Sequence, residues 1–143
     1  MKKSYIFSKE TNMNVDDAAE AIRKASNKFG FIIRYDADMA KEFVAHDVKV
    51  EESLEYRTIM LCIPQKAHDS VVANSERAAV IAPKQISIYK NKEIGKTVVS
   101  HLVVGENFLK EILPNDLKIR ESLPASCEKI VDLIKEVTIN GKI

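Results

Sequence analysis

Leu54-Glu55-Tyr56-Arg57-Thr58-Ile59-Met60-Leu61-Cys62-Ile63, followed at once by Pro64-Gln65-Lys66-Ala67-His68-Asp69, is the longest β-like run in the chain and the stretch on which the fold turns. Successive side chains of a strand point to opposite faces. Tyr56, Thr58, Met60 and Cys62 therefore share one face, and Arg57, Ile59, Leu61 and Ile63 the other. Both faces become apolar near the end of the run, which predicts a central strand covered on both sides where it finishes. Pro64 has no N–H to give to a ladder but fits the first turn of a helix, so a helix is predicted from about Gln65 to Ala73.

Upstream, Ser4 to Phe7 reads as a short strand. Asn14 is placed to cap a helix whose first turn holds Asp16 and Asp17. Val15, Ala18, Ala19, Ile22, Ala25 and Phe29 recur at helical spacing and predict one buried face. Gly30 suits the left-handed end of that helix, and Phe31 to Tyr35 returns to strand. The Met39, Ala40, Phe43, Val44 pattern predicts a short helix over Ala37–Ala45, ending near His46-Asp47.

Downstream, Ser75 to Ala82 has room for one helical turn before Pro83 breaks it. Gln85–Tyr89 and Thr97–Val104, joined by the polar Asn91–Lys96 segment, predict a hairpin. Gly105 to Leu113 reads as a short helix cut off by Pro114. A last helix is predicted from near Ser122, with Pro124 in its first turn and Cys127, Ile130, Val131, Ile134 and Val137 facing inward. Strands and helices in this order, with an antiparallel hairpin, give an α+β domain.

One domain over residues 1–143 is expected at this length. With 45% hydrophobic and 30% charged residues, the composition excludes a disordered tail and a disulfide-stapled miniprotein. Twenty-two basic side chains against twenty-one acidic ones leave a charge of +1, so neither nucleic acid nor an anionic membrane is an expected partner. Tyr5-Ile6-Phe7 is too short for the apolar region of an export signal, and no apolar run approaches the roughly 18 residues of a membrane span. A cytoplasmic protein is expected, with Cys62 and Cys127 as thiols.

The turn from Cys62 to Asp69 is the chemically unusual corner. A strand-to-helix junction presents free backbone N–H groups at the positive end of a helix dipole, where anions bind and thiolates are stabilised. Cys62 there is either a reactive thiol or a small inert hydrophobe packed with Met60. His68 borders the apolar stripe of Val71 and Val72. It either caps that cluster or meets Cys62, with His101 arriving from the hairpin, as a metal or proton-transfer group. The three lack metal-ligand spacing, so neither a metal nor a cofactor is expected. Four scattered glycines exclude a phosphate-binding glycine loop, and no GxSxG elbow is present. Lys84, Lys90, Lys92 and Lys96 surround the hairpin, either solvating a loop and guarding an edge strand or forming a basic patch for an acidic ligand.

The chain is similar to the family known as domain of unknown function 302. The similarity is carried by Gly30-Phe31, by Cys62-Ile63-Pro64-Gln65-Lys66-Ala67-His68, and by Ala79-Val80-Ile81-Ala82-Pro83 leading into Ile86-Ser87-Ile88-Tyr89. It covers most of the first hundred residues. The family pattern has Cys-Asn-Pro where this chain has Cys62-Ile63-Pro64, and often a second cysteine where this chain has Lys84, so only Cys62 carries over. The resemblance implies a TATA-binding-protein-like α+β fold, a curved antiparallel sheet of four to five strands backed by helices, and a homodimer. It implies no activity.

The expectation is thus a non-catalytic homodimeric module that holds a small ligand or a protein partner near Cys62, Pro64, His68, Lys84 and His101. The rival is a thiol enzyme for redox or sulfur-transfer chemistry, with Cys62 as nucleophile and His68 as base.

Overall fold

A computed structural model describes residues 2–81 and 84–140; the break expected at Pro83 lies outside them. Five strands form one open antiparallel sheet: β1 (Tyr5–Thr11), β2 (Ile32–Asp38), β3 (Tyr56–Cys62), β4 (Lys84–Asn91) and β5 (Lys96–Val103), in the order β1-β5-β4-β3-β2. The hairpin is β4–β5, with Ile88 opposite Val99. Its turn carries Gly95 at φ 67°, a left-handed conformation that favours glycine.

Helices back one face of the sheet. α1 (Val15–Ser26) crosses β3 and β4, and the long α6 (Leu117–Asn140) lies over β5 and β1. Asn14 caps α1 by accepting from the Asp17 N–H at 2.8 Å, and Gly30 at φ 86° closes the 3₁₀ turn that follows. Ala18, Ala19 and Ile22 are fully buried; the two small alanines let α1 lie close on the strands, and Ile22 fills the core beneath it. The core beneath is Phe31, Ile59, Leu61, Ile86, Ile88 and Val99, met from above by Ile130, Leu133 and Ile134. At one end of the sheet Arg57 reaches Asp16 and Asp36, each at 3.2 Å, tying the start of α1 to β2 and β3.

The remaining helices are short: α2 (Met39–Ala45), α3 (Pro64–Ala73), α4 (Ala78–Ile81) and α5 (Glu106–Ile112). Asp38 caps α2 by accepting from the Lys41 N–H, which is why β2 runs on to Asp38 and the helix starts only at Met39. Near α5, the backbone of Lys2–Lys3 lies so close to Gly105 that a Cβ there would come within 2.4 Å of Lys3. The Gly105 N–H donates to Ser4 Oγ beside it.

Three expectations need correction. β3 is inner but not central, because β4 holds the middle, and its end is not covered on both sides: Ile59 and Leu61 are fully buried under α1, while Met60 and Cys62 on the other face are only half-buried. β1 extends to Thr11 because every residue from Tyr5 onward pairs with β5, a long-range ladder that polar Lys9 and Glu10 do not advertise. The last helix begins at Leu117 rather than near Ser122. Asp116 starts it by accepting from the Ile119 N–H at 3.1 Å, and Pro124 falls inside the helix, where its missing N–H leaves the Arg120 carbonyl without its usual partner.

Candidate functional site

The junction read from the sequence opens onto a cleft of about 280 Å³ between α3, the end of β3 and β4, and the first half of α6. Its apolar wall is Ile63, Ala67, Ile81, Ile119 and Leu123, and Ser70, Ser122 and Ser126 add hydroxyls. Its cations are Lys66 of α3, Lys84 of β4, Lys118 of α6 and Arg77.

Only one of those cations is neutralised within the site. Arg77 is buried and forks onto Asp116, with Nε at 2.6 Å from one carboxylate oxygen and Nη2 at 2.9 Å from the other. Asn74 also donates to that carboxylate, at 3.0 Å. The Arg77 guanidinium and these further donors hold the Asp116 carboxyl well below the usual carboxylate range. Among the described residues, Lys66, Lys84 and Lys118 have no carboxylate within 4.0 Å. Asp69, the one acid lining the cleft, is already engaged by Gln65 and His68, each at 2.9 Å.

The environment depresses the basicity of two of these amines. Lys129, on the next turns of α6, pushes the Lys66 ammonium down by like-charge repulsion, and partial burial adds to it. Burial is the main cause for Lys84, with Lys66 acting in the same direction. The start of α3 adds partial positive charge. Ile63 provides no side-chain cap and Pro64 no N–H, so the Gln65 and Lys66 N–H groups have no partner within the helix.

Of the residues singled out from the sequence, the fold brings Cys62 and Lys84 to this cleft. Pro64 is the first residue of α3 and exposed, outside the lining. His68 faces solvent on α3, its Nδ1 on Asp69. His101 is buried within the sheet between Phe7 and Ile86, its Nδ1–H donating to the Gln85 carbonyl at 2.7 Å. Burial lowers the His101 pKa and keeps the ring neutral. Its Nε2 has no hydrogen-bond partner among the described residues. Cys127 is buried on α6, and burial pushes its thiol up. No three His, Cys, Asp or Glu side chains among the described residues gather as metal ligands would. Nor is any described helix long and apolar enough to cross a membrane.

Sequence reasoning missed Lys118, Ser122 and Ser126 as cleft residues because it started the last helix too late to set their register. Asp116, three residues before Ile119, was the capping signal that would have found that start.

A family model described as "Domain of unknown function DUF302" matches residues 7–137. Among solved structures, the chain is similar to the uncharacterized conserved protein DUF302 from Bacillus stearothermophilus. The two share 12% sequence identity at a TM-score of 0.68, over 96% of this chain and 98% of that one, a likeness of fold. No curated protein matches the chain.

Proposed function

The chain belongs to the DUF302 family, and on that premise we propose that it is a non-catalytic module binding a small anionic ligand with an apolar body in the cleft between α3 and α6. One observation carries the reading: among the described residues, three lysines from three different elements line an apolar-walled cleft with no carboxylate within 4.0 Å of any of them, Asp69 being turned to Gln65 and His68. Lys66 repels Lys84, and Lys84 loses hydration on burial, two costs that the fold alone does not offset. An anion entering the cleft relieves both costs. The serine hydroxyls and the free N–H groups at the start of α3 supply neutral donors, and the aliphatic wall takes the body of the ligand.

The thiol reading finds less support. Cys62 lines the same cleft, but no histidine lines it with Cys62 to serve as a base. A homodimer remains part of the proposal, supported by the side of the sheet away from α1 and α6. There Ile6 is 71% exposed and Leu102 58%, neighbours across the β1–β5 ladder.

The test uses 8-anilinonaphthalene-1-sulfonate, an apolar anion that fluoresces when shielded from water. The protein should bind it at one saturable site per chain. The double variant Lys66→Met, Lys118→Met, altering two exposed side chains, should weaken that binding by at least about tenfold, the worth of one charge-assisted contact. Unchanged affinity in that variant would end the proposal. Native mass spectrometry of the same preparation should give the mass of two chains.

A further inference from the structure

An anion held by charge alone is best served by lysines exposed at the mouth of a cleft. Lys66 and Lys118 are of that kind, both exposed. Lys84 is not. It lies on the helix-covered face of β4, in line with Ile86 and Ile88 and directly across the ladder from Leu61, all three fully buried. The titratable groups close enough to influence its amine come from several packed elements: Cys62 from β3, Lys66 from α3, His101 from β5 and Cys127 from α6. None is a carboxylate.

Burial, more than these neighbours, leaves the ammonium form poorly supported. The Cys127 thiol stays protonated because of its own burial and so offers no anion. His101 is neutral. Lys66 is cationic and repels. Burial, and to a lesser degree Lys66, lower the Lys84 pKa, so more of Lys84 is the free amine, the form that attacks carbonyl carbon, than of a lysine at its ordinary pKa. The same cleft holds Lys66 and Lys118 to fix a carboxylate and an aliphatic wall to take the body of the ligand.

We propose that Lys84 captures an oxo acid, an aldehyde or ketone that bears a carboxylate, by forming a reversible imine with its carbonyl carbon inside the cleft. The Lys84 nitrogen lone pair forms the C–N bond while the C=O π pair moves to oxygen, which takes up the proton the nitrogen gives up. Loss of that oxygen as water then leaves C=N. Amine and carbonyl become imine and water, with no oxidant or reductant consumed, and water reverses the step to release the ligand. The inference rests on the anion-binding reading and narrows it to one class of ligand.

The test treats the wild-type protein with 4-formylbenzoate and sodium cyanoborohydride, which reduces an imine to a stable secondary amine, and maps the adduct by peptide mass spectrometry. Lys84 should carry it at least about tenfold faster than exposed lysines such as Lys24, because the cleft holds the aldehyde's carboxylate beside it. Lys84→Arg, which retains the charge, should remove that adduct. Labelling that follows exposure, with Lys84 unmodified or Lys66 modified in its place, overturns the inference. A parallel titration with 4-(hydroxymethyl)benzoate, which cannot form an imine, separates the two proposals. If it binds while Lys84 stays unlabelled, imine formation alone fails; if it does not bind and labelling is indiscriminate, the anion site fails as well.

Discussion

The two halves of α6 do different work. From Cys127 to Val137 the inward positions are all buried and, apart from the thiol, aliphatic, packed on the sheet and α1. Between Lys118 and Ser126 the helix passes over α3 instead, and Lys118, Ser122 and Ser126 join Ile119 and Leu123 along an open cleft. A surface packed on a sheet has no route for water and admits no unpaired polar group. Where the same helix stands off from its neighbour, polar side chains can be accommodated and a ligand can enter. The contrast teaches that one half of the helix closes the main core, while the other packs Ile119 and Leu123 into a second apolar cluster and also lines the cleft.

The largest effect should come from making a hole in each half. Ile134→Ala removes a fully buried side chain from the closed half and should cost about 4 kcal/mol, whereas Leu123→Ala beside the cleft should cost about 2, because water and nearby side chains can fill the gap. Urea denaturation reads both, and equal losses would break the comparison. Next in size is the Arg77–Asp116 pair, which fastens the segment after α3 to the start of α6. Asp116→Asn leaves a buried guanidinium without its counter-charge and should cost about 3 kcal/mol at pH 7. The folded-state pKa of Asp116 lies below its unfolded value near 3.9, so the pair contributes fully above about pH 5 and fades as pH falls through the folded-state pKa. Stability of Asp116→Asn should therefore fall less between pH 6 and pH 3 than that of the wild type, and parallel declines would contradict it. Smallest is Lys84→Met. The lowered pKa of Lys84 means that its charge opposes folding at neutral pH, so the variant should be more stable by up to about 1 kcal/mol at pH 7. The gain should shrink as pH rises through the lowered pKa toward the unfolded value near 10.4. A loss of stability at pH 7 would mean that the ammonium is held by more than this cleft provides.

Local signals made much of the architecture readable. Tyr56 to Cys62 alternates, Pro64 stops the ladder, Asn14 and Gly30 bracket α1, and the polar Asn91–Lys96 segment marks the hairpin. What escaped reading depended on partners far along the chain. Lys9 to Thr11 become strand only because β5 lies beside them, and Pro124 disguised a helix already running since Leu117. The site divides the same way. Cys62 was visible from its place before Pro64, and Lys84 from its charge near the hairpin and its position in the family pattern. That the two share a cleft with Lys118 follows from how α6 is laid across the molecule, which no stretch of sequence states. His68 looked as promising as Cys62 and turns outward, because one residue's shift on a helix rotates a side chain by about 100°.

The pairing of β1 with β5 also governs how the protein is made. Phe7 waits for His101, so β1 has no partner in this sheet until the other four strands have been synthesised. For that interval both edges of the apolar Tyr5-Ile6-Phe7 segment stay open to any other strand, where the finished sheet leaves only one.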